Sequence, residues 1–347
     1  MKKKLLALVM AGALSLTGLV GCGGSQQDAN NAENNDAKDA SKKIAMVTDV
    51  GGISDQSFNQ SAWEGFQKLE KDFQIKKSYQ ESTQDADYAP NLQTLIDAEN
   101  DLVWGIGFKM ADAVAEAAEN YPENKFAIID FSYGENTPEN VIGVTFKEHE
   151  ASYLVGVIAA KMTKTNKVGF IGGMDVPVIN RFKYGFKAGV ESVNKDIEII
   201  DQYANAFDKP AVGKAIANQM YSSGCDIIFH AAGDTGNGMI EAAKELNKFA
   251  IGVDRDQNSQ APENVITSAV KRVDNAIYDI GKKLIEGEFD GGSTVTYGLK
   301  EGGVDIAPTT SKNVPEDIIK LVDDVKAKIV AGEIVVPGTK EEYDSAK

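Results

Sequence analysis

The feature that most constrains the fold is an alternation that runs along the chain from residue 44 onward. Short apolar runs of four to six residues are each followed by an amphipathic segment. Alternation of this kind is typical of βαβ units, in which parallel strands form a sheet covered by helices. The sequence therefore predicts an α/β fold. The runs interpreted as strands are residues 44–48, 102–106, 126–130, 168–171, 227–231 and 249–254.

The segments between the strands carry helical periodicity. Phe58, Ala62, Phe66 and Leu69 recur at i, i+4, i+8 and i+11. Such spacing places the side chains on one face of a helix, which we interpret as the face that packs into the core. A second stripe of the same kind comprises Ala151, Leu154, Val155, Ile158 and Met162.

The length of the chain favours two lobes over one. About 300 residues exceed what a single doubly wound sheet usually holds, and no Pro/Ser-rich linker separates two halves. We therefore expect two doubly wound, Rossmann-like lobes joined by a hinge, with a ligand at the carboxyl ends of both sheets. The predicted N-terminal lobe is 44–146 plus 264–288, and the predicted C-terminal lobe is 147–263 plus 289–347.

The N-terminus has the pattern of a secretory signal. Three lysines precede an apolar run over residues 5–20, and the segment ends Leu-Val-Gly-Cys at Cys22. The run is too short to span a bilayer comfortably, and its end resembles a bacterial lipobox, in which the cysteine is lipidated. Residues 1–21 are thus the predicted signal peptide. Residues 22–43 contain few large apolar side chains and are therefore predicted to form a disordered leash. The sequence predicts a lipid-anchored protein on the extracytoplasmic face of the cell membrane.

Composition excludes several classes of function. The chain has 52 acidic and 36 basic residues, for a net charge of −16, and such a surface repels nucleic acid. With Cys22 committed to lipid, Cys225 has no partner for an internal disulfide. Two histidines, His149 and His230, without a cysteine pair exclude a structural zinc or iron–sulfur site. We expect no metal and no cofactor, and assign neither histidine any chemistry.

The loop after the first predicted strand, residues 48–65, is the most informative. It reads Thr-Asp-Val-Gly-Gly-Ile-Ser-Asp-Gln-Ser-Phe-Asn-Gln-Ser-Ala-Trp-Glu-Gly. Its glycines permit a tight turn, and Asp55 and Ser57 can cap the helix that follows. A cap does not explain why Phe58, Asn59 and Trp63 crowd the same turn, so the loop is also a candidate ligand site.

A second loop, residues 233–238, reads Gly-Asp-Thr-Gly-Asn-Gly. It is neither a Walker sequence nor the dinucleotide fingerprint, and Asp234 would repel a phosphate. We interpret it as a close backbone approach to an uncharged ligand, which favours a nucleoside over a nucleotide.

These loops, together with residues 164–173, 252–257 and 268–274, resemble the basic membrane protein family of lipoproteins. This family comprises the PnrA-like purine-nucleoside-binding proteins of ABC transporters. The resemblance covers essentially the whole mature chain and implies a type I periplasmic-binding-protein fold that holds its ligand between two lobes without catalysis. Asp234 stands where the family pattern often shows glycine, and residues 205–208 are less glycine-rich than usual.

The resemblance also implies roles for individual residues. Phe58 and Phe207 would stack on opposite faces of a purine, and Asp55 and Asn59 would reach the base edge. The residues that would surround the ribose are Asp130, Gly233, Asp254 and Lys271. The implied partners are a purine nucleoside (inosine, adenosine or guanosine) and an ABC permease with its cytoplasmic ATPase, and the implied state is a monomer.

The chemistry of these residue types agrees with those roles, although simpler functions remain open. Aromatic rings recover stacking on a flat base, and an amide offers the base edge both a donor and an acceptor. Asp130 and Asp254 end apolar strands, where a carboxylate needs a partner. Phe58 and Phe207 could instead belong to the core, and the aspartates could cap helices or balance Lys271.

Two alternative functions remain. One is a binding protein that presents another small ligand, such as a sugar or a signal molecule, to a transporter or sensor. The other is a nucleoside hydrolase, which the sparse carboxylates of residues 254–256 do not favour.

Overall fold

The computed structural model describes residues 41–346. The predicted signal peptide, the lipidation site Cys22 and nearly all of the predicted leash lie outside these residues. Among the described residues, no helix is both long enough and apolar enough to cross a membrane.

The described chain contains twelve strands and ten α-helices. The strands are β1 (Lys43–Val47), β2 (Lys76–Gln80), β3 (Leu102–Ile106), β4 (Lys125–Ile129), β5 (Val141–Phe146), β6 (Lys167–Gly172), β7 (Glu198–Tyr203), β8 (Ile227–Ala231), β9 (Phe249–Asp254), β10 (Val265–Lys271), β11 (Ser293–Tyr297) and β12 (Val304–Ile306). The helices are α1 (Phe58–Phe73), α2 (Tyr88–Asp97), α3 (Ala111–Asn120), α4 (Glu148–Met162), α5 (Pro177–Val193), α6 (Pro210–Ser222), α7 (Asp234–Glu245), α8 (Val273–Glu286), α9 (Glu316–Val330) and α10 (Lys340–Ser345).

The strands form two six-stranded sheets. The first has the order β11-β5-β4-β3-β1-β2, and all its neighbours are parallel. The second has the order β12-β10-β9-β8-β6-β7 and is parallel except for the pair β10 and β12. The predicted α/β class is confirmed, and each of the six predicted strands matches an observed strand to within one residue at either end.

Helices cover both sheets as the periodicity predicts. On α1, Ala62, Phe66 and Leu69 are buried, and the helix packs against α8. Helix α4 is buried along most of its length between α5, α9 and β10. An apolar helix buried on several sides shows almost no amphipathic face, because all its neighbours are protein.

The predicted lobe boundaries are wrong for two strands. The strand β10 lies within the segment 264–288, which was assigned to the first lobe, yet it pairs with β9 and β12 of the second sheet. The strand β11 lies within 289–347, assigned to the second lobe, yet it pairs with β5 of the first sheet. The residues of a strand do not by themselves specify which sheet it joins, so the sequences of β10 and β11 carry no information on this point.

The chain crosses between the two halves three times. The crossings follow β5, β10 and β11, since each of these strands is followed by an element that packs with the other half. They run side by side: the backbone N–H of Lys147 donates to the carbonyl of Tyr297, and that of Arg272 donates to the carbonyl of Gly303. These neighbouring crossings form the hinge region.

Candidate functional site

A cavity lies between the two sheets, at the carboxyl ends of their strands. Seven of the eight predicted ligand-binding residues line it, and Asn59 alone does not. Parallel strands end at a common edge, which brings together side chains that are more than 200 residues apart. The cavity is lined by Asp49, Gly51, Asp55, Phe58, Gly107, Phe108, Asp130, Val178, Ile179, Phe182, Phe207, Ala231, Ala232, Gly233, Asp234, Val253, Asp254 and Lys271.

Aromatic rings reach the cavity from both halves. Phe58 is the first residue of α1, and Phe207 lies in the loop after β7. Phe108, which was not predicted, makes an edge contact with Phe207, with ring centroids 6.5 Å apart and ring planes at 73°. A flat ligand between Phe58 and Phe207 would therefore have a third ring at its rim.

Two glycines lie against Phe207, one at its ring and one at its backbone. A Cβ at Gly173 would lie only 2.1 Å from Cε1 of Phe207. Gly233 has φ of +55°, and a Cβ there would lie 3.2 Å from the carbonyl oxygen of Phe207. Gly233 thus brings the backbone of the second loop close to the cavity, as its glycine-rich sequence predicts.

Asp55 caps helix α1 in the structure. Its carboxylate accepts hydrogen bonds from the backbone N–H groups of Ser57 (2.9 Å), Asn59 (2.9 Å) and Gln60 (3.0 Å), and from Nδ2 of Asn59 (3.2 Å). Burial raises the pKa of Asp55 although these hydrogen bonds oppose the rise. The capping interpretation is confirmed for Asp55, and the cap leaves its carboxylate little capacity for a base edge.

Asn59 is engaged behind the cavity wall. Its Nδ2 donates to Oδ1 of Asp49 (2.7 Å) as well as to Asp55, so the amide orients two carboxylates. Asp49 lines the cavity and was not predicted as a site residue, although it belongs to the loop that was singled out. Both hydrogen bonds found for Asp49 within the described chain end on Oδ1, the second from the backbone N–H of Gly51 (3.3 Å). Its Oδ2 is therefore available to a ligand.

Burial raises the pKa of Asp49 to about 6, against the hydrogen bond from Asn59, which lowers it. The carboxyl group of Asp49 therefore holds its proton more readily than that of an exposed aspartate. Gly107 lies next to both Asp49 and Phe58. A Cβ added at Gly107 would lie 3.5 Å from Oδ2 of Asp49 and 3.6 Å from Cε1 of Phe58.

The cavity lining also includes part of a buried ion cluster around Lys271. Nζ of Lys271 lies 2.5 and 2.7 Å from the two carboxylate oxygens of Asp130 and 3.1 Å from Oε1 of Glu148. Lys271 is 2% exposed and Glu148 is fully buried. Burial alone would lower the pKa of Lys271, but Asp130, Glu148 and Asp254 outweigh burial and raise it. The lysine is therefore held as a charged donor.

Asp254 joins the two halves. It ends β9 with φ of +62°, and its Oδ2 accepts a hydrogen bond from Oγ of Ser57 at 2.5 Å. The sequence suggested that the side chain of Ser57 could cap α1. In the structure it does not cap the helix and donates to Asp254 instead. Burial raises the pKa of Asp254 to about 7, against the opposing effect of Lys271.

The two histidines lie outside the cavity lining. His230 is fully buried and its Nε2 lies 2.9 Å from Oε1 of Gln257. Burial lowers the pKa of His230 to about 4. The prediction that this histidine is packed and hydrogen-bonded is confirmed.

The fold and the cavity define a class of protein. Two sheets rich in parallel strands, three chain crossings and a cavity at the strand ends are the architecture of type I periplasmic binding proteins. A solved structure of an ABC transporter solute-binding protein from Aeropyrum pernix K1 superposes with a TM-score of 0.78 at 32% identity, covering 88% of this chain and 96% of that chain.

The chain belongs to the PnrA-like family of ABC transporter substrate-binding proteins, whose sequence profile matches residues 42–340. It is 39% identical to the "ABC transporter nucleoside-binding protein BmpA" of Lactococcus lactis subsp. cremoris, over 97% of this chain and 99% of that protein. It is 43% identical, with the same two coverages, to the "CD4+ T-cell-stimulating antigen" of Listeria innocua serovar 6a. The resemblance seen in the sequence is confirmed: this is a substrate-binding protein and not an enzyme, and its family implies a permease and an ATPase as partners.

Proposed function

We propose that this protein captures purine nucleosides in the cavity and delivers them to an ABC permease for uptake. The observation that carries the proposal is the arrangement of polar groups around Phe58. Asp49 and Phe58 both lie next to Gly107, and Nζ of Lys271 lies 5.1 Å from the centroid of the Phe58 ring. An aromatic platform between two separate polar groups suits a flat base joined to a hydroxylated sugar.

The base edge is assigned to Asp49 in place of Asp55. Oδ2 of Asp49 can accept an N–H group, such as those at positions 1 or 6 of a purine, because Asn59 already occupies Oδ1. Asn59 then acts through Asp49 instead of touching the base. Phe58 and Phe207 supply stacking of about 1–3 kcal/mol for each ring.

The sugar is assigned to the four predicted residues at the other end. Asp130 and Asp254 accept from the hydroxyl groups, Lys271 donates to them, and Gly233 allows close backbone approach. Among the described residues, five carboxylates line the same cavity as one lysine, Lys271: those of Asp49, Asp55, Asp130, Asp234 and Asp254. A phosphate would meet an excess of like charge, which favours nucleosides over nucleotides.

The location is part of the proposal. Lipidation at Cys22 and a flexible leash over residues 22–43 would hold the protein at the extracytoplasmic face of the cell membrane, close to its permease. The relative named as a nucleoside-binding protein supports the ligand class, and the name "Basic membrane protein A" of a relative from Borreliella burgdorferi, 41% identical over 87% of this chain, supports the location.

A competition assay tests the ligand class. Labelled inosine is equilibrated with the protein across a dialysis membrane and competed with guanosine, adenosine, uridine, ribose and inosine monophosphate. We expect displacement by purine nucleosides and far weaker competition by ribose and the monophosphate. Displacement by ribose at similar concentrations would favour a sugar-binding protein. Chromatography of the same samples should find no free hypoxanthine, and its steady appearance would favour a nucleoside hydrolase.

A further inference from the structure

Glu148 is a fully buried carboxylate that the proposed ligand contacts do not use. It does not line the cavity. A buried carboxylate is costly unless it is paired, and Glu148 has two cationic partners. Lys271 lies 3.1 Å away, and Nε and Nη2 of Arg181 lie 2.5 and 3.4 Å from its two oxygens. Together with Asp130, these residues form a chain of alternating charge that runs from the cavity to Arg181.

The cluster lies at the crossings between the two halves. Glu148 is the first residue of α4, directly after the crossing that follows β5, and Lys271 is the last residue of β10, directly before the next crossing. Arg181 lies on α5, which packs extensively against α4. Asp130, by contrast, follows β4 in the first sheet. The two partners of Lys271 thus come from different places: Asp130 from across the cleft and Glu148 from beside the hinge.

We propose that Glu148 and Arg181 are positioning residues that hold the ammonium group of Lys271 at the sugar end of the cleft and keep it there when the cleft opens and Asp130 moves away. This inference rests on the proposed function. Around the ammonium group are the rings of Phe58, Phe146 and Phe182, at 5.1, 5.0 and 5.9 Å from Nζ to the ring centroids. Rings alone do not replace a carboxylate as a partner for a buried cation.

The arginine suits this role through its shape. Its fork contacts both oxygens of Glu148 and so fixes the plane of that carboxylate, which in turn fixes the direction of Oε1 toward Lys271. Arg181 does not line the ligand cavity. Either positioning residue can therefore be changed without removing a contact to the ligand.

The test compares inosine with 2′,3′-dideoxyinosine, which keeps the base and the 5′ hydroxyl group and lacks the hydroxyl groups at positions 2′ and 3′. The dissociation constant of the dideoxynucleoside divided by that of inosine measures how much the 2′ and 3′ hydroxyl groups contribute to binding. Glu148→Gln keeps the size of the side chain and removes its charge, so we expect the ratio to fall at least tenfold with little change for the dideoxynucleoside. Arg181→Lys should lower the ratio in the same direction by a smaller factor.

Glu150→Gln is the matched control. Glu150 lies in the same first turn of α4, pairs with Lys147 at 3.5 Å, and accepts from the backbone N–H of Leu299. This variant should keep the wild-type ratio. An unchanged ratio in Glu148→Gln, which includes equal losses of affinity for both ligands, would overturn the inference. If Glu148→Gln does not fold, the ratio measured for Arg181→Lys decides the question. If the wild type binds no purine nucleoside, the proposed function fails and this inference fails with it.

Discussion

Gly173→Ala should weaken nucleoside binding, although Gly173 itself does not line the cavity. The added Cβ would lie 2.1 Å from Cε1 and 2.4 Å from Cδ1 of Phe207. Carbon atoms in contact sit at about 3.5 Å or more, so the ring must move by about 1.4 Å. Gly173 is not among the residues with positive φ, so alanine does not strain the backbone and the side chain of Phe207 is what gives way.

The cost follows from the stacking that a displaced ring loses. Loss of part or all of one ring contact corresponds to about 1–3 kcal/mol, or about 5- to 150-fold in the dissociation constant. Calorimetric titration with inosine measures the loss, and thermal unfolding of the unliganded protein should change little.

A double-mutant cycle identifies the cause. If Gly173→Ala acts only by moving the ring, adding it to Phe207→Ala should cost nothing further, within about 0.5 kcal/mol. Wild-type affinity in Gly173→Ala would refute the account of how Phe207 is placed, and additive losses would show that the glycine acts through something other than the ring.

Four further predictions concern separate parts of the protein. Phe58→Ala should weaken inosine binding about 5- to 150-fold, because one stacking surface is lost, and calorimetry would contradict this by finding equal affinities. Asp254→Asn should weaken the binding of inosine more than the binding of free hypoxanthine, since the carboxylate is assigned to the sugar. Equal losses of affinity for the two ligands would remove that assignment. Because burial raises the pKa of Asp49 to about 6 and of Asp254 to about 7, the folded protein binds more protons than the unfolded chain above pH 4, so these two groups lower the stability as pH rises to 7. In Asp254→Asn, the melting temperature should therefore fall less between pH 4 and pH 7 than in the wild type. An unaltered dependence of the melting temperature on pH would count against the raised pKa of Asp254. Cys22→Ser should move the protein from the membrane fraction to the soluble fraction with unchanged affinity, and retention in the membrane would argue against the lipid anchor.

Much of the fold could be predicted from local sequence because the deciding signals are local. The six predicted strands are apolar runs bounded by polar residues, and the stripe through Ala62, Phe66 and Leu69 is buried as expected. The assignments of β10 and β11 failed because sheet membership is decided where the chain crosses between halves. The pairing of Lys147 with Tyr297 and of Arg272 with Gly303 shows that crossing only in three dimensions.

The site shows the same division between local and tertiary information. The residues at the ends of strands could be predicted, since Asp130, Asp254 and Lys271 follow or end apolar runs. Asp49 was missed because a carboxylate beside glycines is equally typical of a turn. Glu148 was missed because an acidic residue in the first turn of a helix is usually a solvated partner of the helix dipole. Its buried ion pairs join it to Arg181 and Lys271, which are 33 and 123 positions away, and are seen only in the folded structure.

Binding of purine nucleosides in the cavity is tested most directly by a calorimetric titration of protein that lacks the lipid and has been unfolded and refolded to remove any bound ligand. We expect saturable binding of inosine, guanosine or adenosine at one site per chain, with no heat from ribose. No binding of any purine nucleoside would contradict it, and would leave a type I binding protein whose ligand must be sought among other small molecules.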